Sequence, residues 1–446
     1  MSYDTAVARM YALGHELAQT PAHKFDLSHM RTLLSALNHP ERQFPAVLIA
    51  GTNGKGSTAA TLASILRVSG LRTGLYTSPH LVRINERIRI NDSEINDDEF
   101  AWLHDLVDRT AERLVEDGEL PWHPSFFEML TAIGFEYFAQ NKVDIAVLEV
   151  GMGGRLDATN VVEPRVSVIT DISLDHQKFL GNTVAEIARE KAGIIRQGGV
   201  VVTLPQQPQA NDVIGNAILE LDARGISAVP YVPPMSPGSD QYLEKSALRL
   251  RYPLQVMGSQ ILVETPLIGR HQLRNVALAV AAAEELGKQG FAILPKSIER
   301  GIRETHWPGR FQVVPARDNA PEYVFDVAHN PAGAWALRST LSACYEDRRL
   351  TLVFGAMRDK EIAEMTEILF PLAERVIATS ADNPRSATAE EIRQAAVRTS
   401  SEIEAAPDVA SALDRASALA GPRGLVVITG SIYIVGEAMR RLGVRV

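Results

Sequence analysis

The stretch Ala46-Val-Leu-Ile-Ala50-Gly51-Thr-Asn-Gly54-Lys55-Gly56-Ser57 decides the architecture. Ala46–Ala50 is apolar and β-prone, and the candidate strand opens at Pro45. Three glycines follow at once, so the backbone can turn tightly and aim its N–H groups inward. A helical pattern begins directly after, over Ser57–Ser69, with Leu62, Ile65 and Leu66 on one face and Gly70 as the stop. Strand, Gly-rich turn and helix N-terminus together form an anion site. Lys55 supplies a mobile charge for phosphates, and Ser57 a hydroxyl near a metal. The common phosphate-loop spacing would place a glycine at position 49, which is Ile49 here, so this is a variant loop.

Outward from this loop, apolar runs alternate with helical patterns, which predicts an α/β protein built on parallel strands. The clearest strands are Pro45–Ala50, Val143–Val150, Val166–Asp171 and Val200–Leu204. Phe126–Gln140 reads as a helix, Ile261–Pro266 as a strand and Leu273–Leu286 as an Ala-rich helix. Val229–Asp240, with four prolines and Gly238, reads as a loop. Thr305–Phe311 breaks the pattern with Pro308 and Gly309, and the domain boundary falls there. Beyond it, strands at Tyr323–Val327, Leu350–Phe354, Arg375–Thr379 and Gly424–Thr429 alternate with helices near Ala332–Ala343, Lys360–Leu369, Ala389–Arg398 and Val409–Leu419. That alternation predicts a second, doubly wound sheet.

The bulk numbers agree with two such units. The chain has 446 residues, 46% hydrophobic and 22% charged, and a formal net charge of -9. At about 150 residues per domain, two or three domains are expected. The acidic balance argues against a nucleic-acid partner. A single cysteine, Cys344, excludes an internal disulfide and a zinc cluster. The N-terminus lacks a secretory pattern and no run of about 18 apolar residues is present, so no membrane partner and a cytoplasmic location are expected.

Motifs follow in order along nearly the whole chain. They are Thr77-Ser-Pro-His-Leu81, Arg83-Ile-Asn-Glu-Arg-Ile88, Ser125-Phe-Phe-Glu128, Glu149-Val-Gly-Met-Gly-Gly-Arg-Leu-Asp-Ala-Thr-Asn160, Asp175-His176 with Leu180-Gly181, and Lys191-Ala-Gly-Ile194. In the second unit come Asp326-Val-Ala-His-Asn-Pro331, Gly355-Ala-Met-Arg-Asp-Lys360 and Thr429-Gly-Ser-Ile-Tyr433. With the loop Gly51–Ser57, this series resembles the folylpolyglutamate synthase/dihydrofolate synthase family, relatives of the Mur ligases. Mur enzymes usually carry threonines after the lysine, where this chain has Gly56-Ser57.

The resemblance implies a Mur-ligase-like P-loop ATPase domain with a parallel-rich sheet over 1–306, and a C-terminal Rossmann-like glutamate-ligase domain over 307–446. It implies an ATP-dependent amide ligase that joins a pterin or folate carboxylate to L-glutamate through an acyl phosphate. Dihydropteroate and folates are the expected acids; His80 and the Phe25–Leu27 stretch favour both activities. The alternatives are folate chain extension alone, or a Mur-type amino-acid ligase. The latter predicts a nucleotide-precursor domain before the loop, where only about fifty residues stand. A monomer is the default.

Residue roles follow from the same resemblance. Thr52, Asn53, Gly54, Lys55, Gly56, Ser57, Asn275, Arg310 and Asp326 are expected to hold ATP. Ser78, Glu149 and His176 are expected to hold Mg²⁺, with two ions in all. Position alone supports Glu149, at the end of an apolar strand; His176 read by itself is a loop histidine or general base. Lys191, in a helix over Glu186–Ile195, reads as solvent-facing, yet the resemblance makes it a carbamylated lysine that orders a magnesium. Lys55, Glu149, His176, Lys191 and His329 are thus the catalytic set. Phe25, Asp26, Leu27, His80, Phe126, Phe127, Glu128, Leu156, Asp157 and Ala158 are the pterin-contact set. Phe126 and Phe127 fit a ring stack or the core of their helix. Asp157 and Asp326 fit ligand contacts or turn caps. Arg310 fits transition-state charge stabilisation or an interdomain salt bridge.

Overall fold

A computed structural model describes residues 1–14, 27–234, 241–317, 320–346, 348–399 and 402–446. The first sheet comprises β1 (Ala46–Ala50), β2 (Thr73–Tyr76), β3 (Ile88–Ile90), β4 (Ser93–Glu94), β5 (Ile145–Glu149), β6 (Pro164–Ile169), β7 (Val200–Thr203) and β8 (Arg224–Ser227). Their spatial order is β4-β3-β2-β5-β1-β6-β7-β8. The β2/β3 and β3/β4 pairs are antiparallel, and the others are parallel. β1 therefore lies centrally, between β5 and β6. Strands buried on both faces read as continuous apolar runs. In β1, Ala46, Leu48 and Ala50 enter the core on one face, while Val47 and Ile49 enter the core on the other. Burying a side chain such as Leu48 or Ile49 contributes roughly 1.5–3 kcal/mol.

A small antiparallel sheet follows: β9 (Leu243–Glu244), β10 (Arg249–Val256) and β11 (Ser259–Thr265). In β10, Leu250, Tyr252, Leu254 and Val256 are buried and the residues between them exposed. The buried set joins the core shared with helix Arg270–Lys288. Of the Pro-rich stretch before it, Val229–Tyr231 forms a 3₁₀ turn, and 235–240 lie outside the described residues.

The last sheet comprises β12 (Gln312–Val314), β13 (Glu322–Phe325), β14 (Leu350–Phe354), β15 (Arg375–Ala378), β16 (Ile403–Ala405) and β17 (Leu425–Thr429), in the order β12-β13-β17-β14-β15-β16. Only the β12/β13 pair is antiparallel. Sequence reading found the four central strands; the two edges, β12 and β16, are three residues each and carry partly exposed side chains that mask the pattern. Leu425 and Val427 pack toward one helical layer, Val426 and Ile428 toward the other. Both sheets turn the C-terminal ends of their parallel strands toward a shared cleft, where open α/β sheets bind ligands.

Candidate active site

The loop after β1 is pinned to the segment after β6. Thr52 N–H and Asn53 N–H donate to the Asp171 carbonyl at 2.9 and 3.2 Å. The Thr52 hydroxyl donates to the Ser173 carbonyl at 3.0 Å. Gly54 ends the turn at φ 90°, a left-handed conformation. A Cβ there would lie 2.2 Å from Asn275 Oδ1, so only glycine fits. Helix Lys55–Val68 then starts with no side-chain cap and no acidic residue in its first turn. Its leading N–H groups are therefore available to an anion. Lys55 folds back, donating to the Gly51 and Thr52 carbonyls at 3.1 and 3.2 Å.

Three further groups converge on this loop. Glu149, at the end of β5, is buried, and Ser78 N–H donates to its Oε2 at 3.2 Å. Burial pushes this carboxyl up, opposed by Lys55, the Ser78 N–H, Arg310 and Arg87. His176 follows β6 in a left-handed turn. Burial, reinforced by Lys360, His329 and Lys55 against the pull of Asp175, lowers its imidazole to about 3. It is therefore neutral, with a lone pair to offer. Lys191 is 4% exposed, and its Nζ donates to the Gly51 carbonyl at 2.7 Å. That overturns the solvent-facing reading: helix Val184–Ala192 buries Ile187, Ala188, Lys191 and Ala192 on one stripe.

The second unit closes the site. Asp175 is 8% exposed, and Lys360 donates to its Oδ1 at 2.6 Å. His329 Nε2 lies 3.6 Å from Asp175 Oδ2. Against the upward push of burial, His329, His176 and Lys360 hold the Asp175 carboxyl far below the usual range. Arg310 packs over Trp307 at 5.9 Å. Burial lowers its guanidinium, while Asp326 and Glu149 support its charge. Asp326 accepts from Phe311 N–H and Ala328 N–H, each at 2.9 Å, so it does cap a turn.

These groups wall one cavity of about 660 Å³. Thr52 to Ser57, Ser78, Glu149, His176, Lys191, Asn275, Arg310, Asp326 and His329 all line it. So do Leu27, Phe126, Phe127, Glu128, Leu156, Asp157 and Ala158. Phe126 is mostly core, 3% exposed and stacked on Tyr11, whereas Phe127 is only partly buried and lies against Gly151. Asp157 caps the turn Ala158–Val161 through Thr159 N–H at 3.0 Å. Glu128 forms a capping box with Ser125 and pairs with His29 at 3.1 Å. His80 is not brought to the wall: it accepts from Arg87 Nε at 2.8 Å and meets Tyr11 at 3.2 Å. Phe25 and Asp26 lie outside the described residues.

Sequence reasoning assigned no role to Asp175, Asn330 or Lys360, although each stands in a quoted motif. A buried carboxylate's partner from 185 residues away leaves no local signal. It also passed over Arg274, whose guanidinium grips the Asp171 carboxylate at 3.0 Å or less, behind the phosphate loop.

Residues 128–283 match the Mur ligase middle domain, and residues 309–432 match the Mur ligase glutamate ligase domain. The class is that of the Mur-type ligases. Within it, the chain belongs to the dihydrofolate synthase/folylpolyglutamate synthase family. It is 36% identical over 425 residues to the dihydrofolate synthase/folylpolyglutamate synthase of Bacillus subtilis, covering 93% of this chain and 94% of that one. The Escherichia coli protein of the same name is 34% identical over 399 residues, covering 89% and 86%. Among solved structures, the Mycobacterium tuberculosis folylpolyglutamate synthase complexed with ADP superposes with a TM-score of 0.83 at 30% identity, covering 99% of each chain. An FPGS–AMPPCP–folate complex superposes at 0.79 and 31% identity, covering 99% and 100%. Among the described residues, no helix is long and apolar enough to cross a membrane.

Proposed function

We propose that this protein is an ATP-dependent ligase that joins the carboxylate of dihydropteroate, and of folates, to the amine of L-glutamate through an acyl phosphate. The carrying observation is that one cavity unites the Gly51–Ser57 loop, a wall of Phe127, Leu156 and Phe126, and cations from the second unit. The relatives' names and their complexes with ATP analogues and folate point the same way.

In this reading the N–H groups of Thr52 to Ser57 cradle the phosphates. Lys55 leaves its backbone carbonyls to meet them, and Asn275, Arg310 and Asp326 hold the nucleotide across the cleft. Arg310 stabilises charge on the transferring phosphoryl group. Ser78, Glu149 and His176 would hold Mg²⁺: a hydroxyl and a carboxylate are the oxygen ligands this cation prefers, and the neutral imidazole is an unusual third, the rest coming from water and phosphates. Bound by these residues, Mg²⁺, two ions in this reading, would supply charge neutralisation for the phosphates and the attacking carboxylate. Lys191 fits a carbamate, because a buried amine that is unprotonated near neutrality can react with CO₂. His329 serves the second unit's side of the cleft, where glutamate enters. Phe127, Leu156 and Ala158 offer an apolar face to the pterin.

Division into units 1–306 and 307–446 places Thr305–Phe311 as the hinge. Closure about it excludes water from the acyl phosphate and holds the amine close. A cytoplasmic monomer with no nucleic-acid or membrane partner suits small-molecule chemistry in an internal cavity.

The test is phosphate release with MgATP and L-glutamate, adding either 7,8-dihydropteroate or a reduced monoglutamyl folate, with products identified by mass. Amide formed from both acids supports the bifunctional reading. Amide from the folate alone restricts it to chain extension. ATP binding with no amide from either acid overturns it.

A further inference from the structure

We propose that Asn330 is a positioning residue that makes the geometry of the phosphate loop depend on docking of the second unit, an inference that rests on the ligase reading above. Asn330 precedes helix Pro331–Cys344 and is 2% exposed. Its Oδ1 accepts from Gly333 N–H at 2.8 Å, the N-cap bond of that helix. This bond sets the orientation of the carboxamide, so the NH₂ group must face the first unit. There it donates to Asn53 Oδ1 at 3.0 Å and to Asp175 Oδ2 at 3.1 Å. Asn53 returns a longer bond, Nδ2 to Asn330 Oδ1, at 3.4 Å.

One side chain of the second unit thus ties together two segments of the first. Asn53 stands in the loop after β1, immediately before the phosphate-facing Gly54. Asp175 stands in the segment after β6, next to His176, and its other oxygen is held by Lys360 at 2.6 Å. Both amide protons of Asn330 are committed, and neither serine nor alanine can span both acceptors. If the units part, Asn53 keeps only its 3.4 Å bond to the Ser173 hydroxyl, and Asp175 loses the Asn330 and Lys360 donors at once. The loop is then held only from within the first unit, through Asp171, Ser173 and Lys191. A displacement of about 1 Å at a phosphate-binding group costs on the order of 10²-fold in rate. Loop assembly and interdomain docking are therefore one event, and the phosphoryl group is not transferred until the glutamate-side unit is seated.

The full-length Asn330→Ser variant separates this role from helix capping, because serine is itself a strong N-cap residue. The expected results are these. Its thermal midpoint stays far closer to wild type than that of Lys360→Ala, since Lys360 still holds Asp175, while amide hydrogen exchange in the Gly51–Ser57 peptide becomes faster. kcat falls by about 10–10²-fold, with a smaller change in KM for ATP. Asn53→Ser, made on the opposite side, gives the same loss, and the double variant is no worse than the worse single, as for one shared contact. Unchanged loop exchange in Asn330→Ser overturns the proposal. So do losses that multiply in the double variant, or faster exchange confined to helix Pro331–Cys344. Hydrogen exchange does not require the reaction to be assigned: a wild type without ligase activity, whose loop still loosens in Asn330→Ser, would refute the ligase reading and leave the coupling standing.

Discussion

The Nζ of Lys191 lies 2.7 Å from the carbonyl oxygen of Gly51, which also accepts from Lys55 at 3.1 Å. Two lysines share one acceptor, and one of them is buried. Burial, and then the charge of Lys55, lowers the Lys191 amine to about 7. An unprotonated amine at this site is nucleophilic toward CO₂. Modification should therefore increase as pH rises through about 7 and decline below it. Intact-protein mass in bicarbonate, recorded on both sides of that pH, should gain and lose one CO₂. Lys191→Arg, a permanent cation, should reduce turnover by on the order of 10²–10³-fold; a variant of near wild-type rate would rule the carbamate out.

Gly54→Ala should abolish productive nucleotide binding while leaving the fold intact. The added methyl meets Asn275 Oδ1 at 2.2 Å, and the φ of 90° is strained for any L side chain. An ATP affinity at least about 10-fold weaker is expected, since a strain of 1–3 kcal/mol spans that factor. Titration with a fluorescent ADP analogue measures it, and circular dichroism checks the fold.

Lys360→Ala should be strongly destabilising, because it strands a buried carboxylate. Asp175 and Lys360 side chains are 7% and 8% exposed. Removing one partner of such a pair costs about 3–5 kcal/mol, whereas a surface pair would cost at most about 1. Urea unfolding distinguishes the two. The Asp175 carboxyl lies far below its ordinary value when folded, so its contribution is present above the unfolded carboxylate range and is lost only as pH falls through the depressed folded value. The wild-type pair should survive at about pH 4, the unfolded aspartate range.

His271 makes a separate prediction about acid. It lines the cavity, and burial, helped by Arg310 and opposed by Asp171, lowers its imidazole to about 4. The unfolded chain binds that proton more readily between about 6.5 and 4, so stability falls as pH drops through this window. The loss by about pH 5 should be roughly 1–2 kcal/mol. His271→Gln should flatten the difference between urea midpoints at about pH 7 and 5; an unchanged difference would place the acid sensitivity elsewhere.

Much of this protein was legible in its sequence. Helix Phe126–Gln140 and strand Leu350–Phe354 were read with the ends they have. Their signals are local: a serine cap with glutamate three residues on, and an unbroken apolar run. The antiparallel edge β2–β3–β4 was not read as strands, and only its Ile88 falls in a quoted motif. These strands are two to four residues long, and Arg89 is buried among them. The alternation of β10 was passed over because Pro253 interrupts it, and proline usually argues against a strand.

The site divides in the same way. Gly51–Ser57 announced a glycine-rich turn into a helix N-terminus because turn, helix start and lysine are contiguous. Lys191 did not announce itself, yet Ile187 and Lys191 are one helical turn apart on a buried stripe, a spacing that marks a lysine facing inward.

The sequence by itself determined the central parallel strands of both sheets, several of the helices between them and the glycine-rich turn at Gly51–Ser57, because hydrophobic period and turn chemistry act between neighbours. Only the tertiary structure decided that Lys360 meets Asp175 across 185 positions and that Lys191 meets Gly51 across 140. It also decided which ionisable groups lose their water. Proximity and desolvation belong to packing, and they turn a series of motifs into one site.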